Sequence, residues 1–242
     1  MTKTDYGIQR AEPLTRPSLS SRDLLTVPHK DKDLTISQFG PDTYSDNRAE
    51  MSREYSHSKE LSKISFRPAS TSESISAAAF VFRNLAKSEI FDSRWLQAGY
   101  IVETPEGVFV NPPLEEGKII TNEKTLKSLL NGAKKYNGIY LAGNDFGFVP
   151  YESFETDFQP SGTFSRGGLA RVLEHTESRE AENLKNILSP ENYKDGAYVV
   201  GFDRVSEPVL KIATLSSHDV VSRLFITSYE WDNGGYAFGV LK

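Results

Sequence analysis

The sequence predicts an α+β fold, with a mainly antiparallel sheet built from hairpins, three to four helices and an extended polar N-terminal arm in front. Three observations carry this expectation. Residues 1–65 hold 16 Ser and Thr but only 4 of the 27 aromatics, so a core must be drawn almost wholly from residues 66–242. Strand-like runs come as neighbours whose connections are shorter than the crossover of a dozen residues that a parallel pair needs. Apolar residues also recur at helical spacing behind capping residues in separate stretches.

The arm, residues 1–65, consists of Ser, Thr, Asp, Arg and Pro with short apolar islands, Leu24, Leu25 and Val27, then Leu34, Ile36 and Phe39. So little apolar surface does not offset the entropy of ordering the chain, and the segment is expected to be disordered alone or ordered by a partner. Within it, Arg48 to Lys63 is charged on nearly every turn and reads as a solvated helix. Residues 66–242 read as a single domain.

That domain opens with Ser70 and Glu73 at capping-box spacing, followed by Ile75, Ala78, Ala79, Phe82, Leu85 and Ala86, which predict a buried amphipathic helix over 71–88. Trp95 and Leu96 sit in the connection after it. Tyr100 to Val110 is β-branched and aromatic on both sides of Thr104–Gly107, a hairpin ended by Pro112 and Pro113. Thr121 or Asn122 caps a helix through Leu126, Leu129, Leu130 and Ala133, and Asn137–Gly138 is read as its stop. A second hairpin pairs Ile139–Ala142 with Phe146–Tyr151 around Gly143, Asn144 and Asp145. Glu152 to Gly162 reads as an acidic loop, Leu169–Glu174 and Glu180–Leu188 as helices. Four strands close the chain: 197–202, 209–214, 224–231 and 236–241, the last two separated by a turn at Asn233–Gly235.

The composition excludes several classes of function. Without cysteine there is no disulfide framework, thiol nucleophile, iron–sulfur cluster or thiolate zinc site. The first ten residues are polar and no apolar run approaches the roughly 18 residues of a membrane span, so a signal peptide and membrane insertion are not expected. The arm balances 10 basic against 10 acidic residues and the rest carries 18 against 23, for a net charge of −5. Nucleic-acid binding draws on clustered positive charge, so this balance argues against it.

Among candidate sites, the segment Ser165 to Arg171 comes first. Gly167 and Gly168 open a helix and leave backbone N–H groups free at its positive end, where Arg166 and Arg171 add charge for an anion. The plainer reading is a glycine turn into a helix, without P-loop spacing. Asp145, Glu152, Glu155 and Asp157 offer carboxylates for a metal or for proton transfer, but match no metal loop and read as solvated surface. Asp203, Glu207 and Lys211 approach an acid/E-x-K nuclease triplet with the wrong spacing. His29, His57, His175 and His218 make no helical zinc pair, and His175 reads as a surface residue of its helix. The aromatics between Tyr136 and Phe158 suit either a pocket or a core. No metal and no cofactor is expected.

These features point to a structural or interaction protein of a larger assembly, such as a viral particle, whose arm contacts neighbouring protein subunits, its own or others. Two alternatives stay open: an enzyme or ligand-binding protein holding an anionic group at the Ser165–Arg171 turn, and an exported effector with a Ser-rich export signal. The expected location is the cytoplasm, or the interior of a virion or other intracellular assembly.

Overall fold

The structure is a computed structural model that describes residues 9–13, 22–53, 55–57, 63–84, 96–189, 193, 196–218, 221–229 and 234–242. Strands β1 (Gln9–Pro13), β2 (Arg22–His29) and β3 (Lys32–Asp42) lead into helix α1 (Tyr44–Met51) and the short strands β4 (Tyr55–His57), β5 (Lys63–Ile64) and β6 (Phe66–Pro68). Helix α2 (Thr71–Asn84) precedes the hairpin of β7 (Leu96–Glu103) and β8 (Gly107–Val110), the ribbon of β9 (Leu114–Glu115) and β10 (Lys118–Ile119), and helix α3 (Glu123–Leu129). A meander of β11 (Lys134–Tyr136), β12 (Ile139–Leu141) and β13 (Gly147–Pro150) is followed by a 3-10 turn, Tyr151–Ser153, and β14 (Asp157–Gln159). Helices α4 (Ser161–Phe164), α5 (Gly168–Leu173) and α6 (Glu182–Ile187) lead to β15 (Ala197–Val200), β16 (Val209–His218), β17 (Val221–Tyr229) and β18 (Gly235–Leu241).

The class is α+β as expected, with six α-helices among the described residues where three or four were expected. All strands but β9 and β10 join one sheet, which is antiparallel except where β15 pairs β17 and where β18 touches β7 at Tyr236 and Leu96. The closing strands therefore do not all pair in sequence. β16 and β17 form the expected hairpin, but β15 lies parallel to β17 on its other side, with Tyr198 opposite Phe225. The connection that allows this contains β16 itself, which is long enough for a crossover.

The largest correction concerns residues 22–51. Leu24, Val27, Leu34, Ile36, Phe39, Tyr44 and Met51 are buried, β2 pairs β3, and β3 pairs β18. Most of the apolar islands of the expected arm are inward positions of a hairpin whose turn and flanking polar residues are exposed, so the segment reads as polar although Leu24, Val27, Leu34, Ile36 and Phe39 belong to the core. The fold begins no later than Arg22, and the expected boundary at residue 65 moves accordingly. Residues 1–8 and 14–21 of the arm lie outside the described residues. Of the helix expected over Arg48 to Lys63, only its start is helical among the described residues: it lies in α1, capped by Thr43, which accepts from the Asp46 N–H at 3.0 Å, while Tyr55–His57 and Lys63 are strand. Helix α1 is solvated on one side only: buried Asn47 donates to Gln97 Oε1 and to the Gly235 carbonyl, both at 2.9 Å, and ties α1 to β7 and β18.

Helix α2 is the central element. The expected amphipathic pattern becomes burial all round, because residues 71–79 are covered on every side, Ser72, Glu73, Ser74 and Ser76 included. Phe82 is only half-buried, tilted against Tyr193. Residues 85–88 of that expected helix, with Trp95 and Asn233, lie outside the described residues. Asn122 caps α3 as expected, accepting from the Thr125 N–H at 3.0 Å. Asn137–Gly138 does not stop that helix but turns β11 into β12, with both residues at positive φ and Tyr136 opposite Ile139. This is the two-residue hairpin turn that Asn–Gly suits best.

Candidate functional site

The acids that sequence groups together are separated in space. Asp145, in the β12–β13 turn, points at the N-terminus of α2, whereas Glu152, Glu155 and Asp157 lie exposed beyond β13. At α2 the predicted capping box forms: the Ser70 N–H donates to Glu73 Oε2 at 2.9 Å and the Glu73 N–H to Ser70 Oγ at 3.3 Å. Arg67 closes Glu73 from outside with two bonds of 2.7 Å.

Around this cap a polar network converges from five parts of the chain. The Asp145 carboxylate accepts from Lys30 Nζ at 2.6 Å, Ser70 Oγ at 2.6 Å and Ser72 Oγ at 2.8 Å. Asn111 donates to the Asp145 carbonyl at 3.1 Å and accepts from both the N–H and the hydroxyl of Thr71. His175 Nε2 faces the carbonyl oxygens of Ala142 and Phe146, so it carries the hydrogen, while Nδ1 lies 3.5 Å from Asp145 Oδ1. His175 is thus not the surface residue that its charged neighbours suggest. Lys30, Asn111, Asp145 and His175 all sit at left-handed φ, between 49° and 59°. Non-glycine residues adopt this conformation at a cost and hold it where surrounding contacts over-determine it.

Burial by itself would raise the Asp145 carboxyl; the Lys30 ammonium and the Ser70 and Ser72 hydroxyls outweigh it and hold the group well below the ordinary carboxylate range. Burial works against Glu73 in the same way, and the Arg67 guanidinium and Ser70 N–H lower it nonetheless. His29 lies 2.8 Å from Ser76 Oγ, and burial, then Lys30, push its pKa down. One ligand atom each of His29, Glu73 and Asp145 lie within 4.8 Å of one another. This is no open metal site, because the carboxylate oxygens already accept from Arg67, Lys30, two hydroxyls and a backbone N–H. Two acids against Arg67 and Lys30 make a charge-compensated cluster that pins two hairpin turns to α2.

The Ser165 to Arg171 segment comes apart on inspection. Gly168 is a packing glycine: a Cβ there would stand 2.6 Å from the Ser153 carbonyl oxygen and 2.9 Å from Val149 Cγ2, so its bare backbone lets α5 lie against β13. Arg171 is 2 % exposed and turned inward, with Nε donating to Ser178 O at 2.7 Å and Nη1 to Tyr136 O at 3.4 Å. Arg166 is exposed, 3.9 Å from Glu180. Gly167 precedes a helix of six residues. One arginine faces the interior and the other solvent. The near-triplet Asp203, Glu207 and Lys211 dissolves likewise, since Lys211 Nζ lies 2.7 Å from the fully buried Glu103 and donates to Gly201 O at 2.9 Å. Burial raises the Glu103 carboxyl against the pull of Lys211 and Ser228.

Sequence reasoning missed one surface. Along β15 and β17 the side chains alternate: Ala197, Val199, Leu224 and Ile226 enter the main core, while Tyr198, Val200, Arg223 and Phe225 point the other way. An outward face of this kind ordinarily carries polar residues. Here Phe158 on β14 stands opposite Tyr198 and is 46 % exposed, Val200 is 39 % exposed, and Phe225 packs on Tyr198 at 5.4 Å. The Arg223 guanidinium lies over the Phe158 ring at 4.8 Å. Among the described residues β14 has β15 as its sole neighbour and so forms a sheet edge. No helix among the described residues is long and apolar enough to cross a membrane. No known protein family, curated protein or solved structure matches the chain.

Proposed function

We propose that this chain is a structural or interaction protein of a larger assembly, and that it meets its protein partners, copies of itself or others, through the face of Phe158, Tyr198, Val200 and Phe225. The observation that carries the reading is this row of aromatic and aliphatic side chains beside a sheet edge that no strand covers among the described residues. Contiguous exposed apolar surface marks interaction sites, and an edge strand adds unpaired backbone groups for an incoming chain. The groups with chemical potential support the same reading by their engagement elsewhere. Asp145, Glu73, Lys30, Arg67 and Ser70 bind one another, and Lys211 is held against Glu103. With residues 22–51 inside the fold, the partner contact is assigned to this face rather than to an arm of 65 residues.

The test is the double variant Phe158→Asp and Tyr198→Asp. Both residues face outward, so folding stability should change by no more than about 1 kcal/mol. Buried aromatic anchors contribute about 2 kcal/mol or more each to an interface. Self-association in sedimentation velocity, or recovery of the wild type's co-purifying proteins, should therefore be lost. A folded variant that associates as the wild type does would refute the reading.

A further inference from the structure

Three features lie outside the Phe158 face: the closed cluster at α2, the inward Arg171, and two clefts beside β13. The clefts carry an inference. The first, of 510 Å³, has walls of Pro105, Tyr140, Phe148 and Pro150 and a rim holding Glu106 and Glu152. The second, of 470 Å³, is lined by Tyr151, Phe154 and Phe202 with Glu155 and Asp203. Arg204 lines both, stacking over Tyr151 at 5.4 Å and bonding the exposed Glu152. Because they share Arg204, we read the two clefts as one groove.

The balance of charge in this groove is negative. Its acids are Glu106, Glu152, Glu155 and Asp203, its bases Lys127 and Arg204. Lys127 is already held by Glu106 at 2.7 Å and Glu123 at 3.0 Å, and Arg204 by Glu152. Among the described residues Glu155 and Asp203 enter no ion pair. The Asp203 backbone is tied to the cleft wall by the Tyr151 hydroxyl, which donates to its carbonyl at 2.6 Å. Aromatic and proline walls with spare carboxylates suit an extended chain whose stems pack on rings and whose heads carry positive charge.

We propose that this groove binds an extended, Lys- or Arg-bearing peptide segment of a protein partner, with Asp203 and Glu155 taking its cationic side chains. The groove shares no lining residue with the Phe158 face, so this site stands or falls independently of the reading above.

The experiment is fluorescence anisotropy on the full chain at about 0.15 M salt, where exposed charges more than about 8 Å apart are screened. The probes are two fluorescein-labelled nonapeptides, one alternating Arg with Leu and the other Glu with Leu. The Arg peptide should bind and the Glu peptide should not. The pair Asp203→Asn and Glu155→Gln should weaken the Arg peptide at least tenfold. The pair Glu115→Gln and Glu116→Gln removes the same charge from exposed positions outside the groove and should leave binding within twofold. Absence of binding, equal binding of both peptides, or equal weakening by the two pairs of changes would overturn the proposal.

Discussion

Exchanging the Asp145 carboxylate for an amide removes a charge and changes little else, because Asn tolerates left-handed backbone as Asp does. Asp145 sits at φ 59°, so the backbone cost of the turn stays constant in Asp145→Asn. The carboxylate accepts from two hydroxyls and one ammonium. Losing the charge from the two hydroxyl bonds costs about 1 kcal/mol each, and the half-exposed Lys30 pair adds up to about 1 kcal/mol. The sum is about 2–3 kcal/mol, readable as a shift in the urea midpoint at unchanged slope. The pH dependence gives an independent check. The folded carboxyl is held below its unfolded value of about 3.9, so its contribution is fully present above that value and is lost as pH falls toward the folded one. The gap between wild type and Asp145→Asn should hold from pH 7 to about 5 and shrink below about 4. A gap under about 0.5 kcal/mol at pH 7, or one that stays constant down to pH 3, would refute the argument that this carboxylate locks the hairpin turns to α2.

Three further outcomes follow from the packing. Glu103→Leu should destabilise the fold by about 3–5 kcal/mol in thermal or urea unfolding, since it leaves the Lys211 ammonium buried beside an apolar group, and the double change with Lys211→Met should recover most of that loss. Gly168→Ala should cost about 1–3 kcal/mol, because its Cβ would meet the Ser153 carbonyl and α5 would have to move off β13. Phe39→Ala should cost about 3–5 kcal/mol, as expected of a ring with no exposed surface packed edge-on against Phe66; a loss under about 1 kcal/mol would restore residues 22–51 to an arm.

Local signals were legible and long-range ones were not. The Ser70–Glu73 box, the Asn122 cap and the hairpins at 100–110 and 139–151 depend on residues a few places apart, and each forms as its spacing implies. Asn137–Gly138 shows how such a signal is misread: a pair at positive φ ends helices and turns hairpins alike, and the short strand Lys134–Tyr136 before it carries two lysines that hide its pairing. The β2–β3 hairpin reads as an arm because its burial is completed by β18, some 200 residues later in the chain. The network at α2 draws Lys30, Asn111, Asp145 and His175 together, and nothing near any one of them in sequence announces the others. At the Ser165–Arg171 turn the glycines were legible as glycines, but their purpose is close packing. The outward row was hidden for a further reason. Residues 197–202 read as a strand with apolar residues on both faces, and only the order β14–β15–β17 shows which side no described element covers.

The central claim is that the β14–β15–β17 face is where this chain meets protein. The most direct measurement is amide hydrogen exchange by mass spectrometry on the chain alone and in its native assembly, with peptides covering 157–159, 197–200 and 223–229. The account predicts slower exchange in the assembly along β14, whose outer edge has no partner strand among the described residues, together with slower exchange in β15 and β17. Unchanged exchange in all three strands, with new protection confined to another surface, would contradict it.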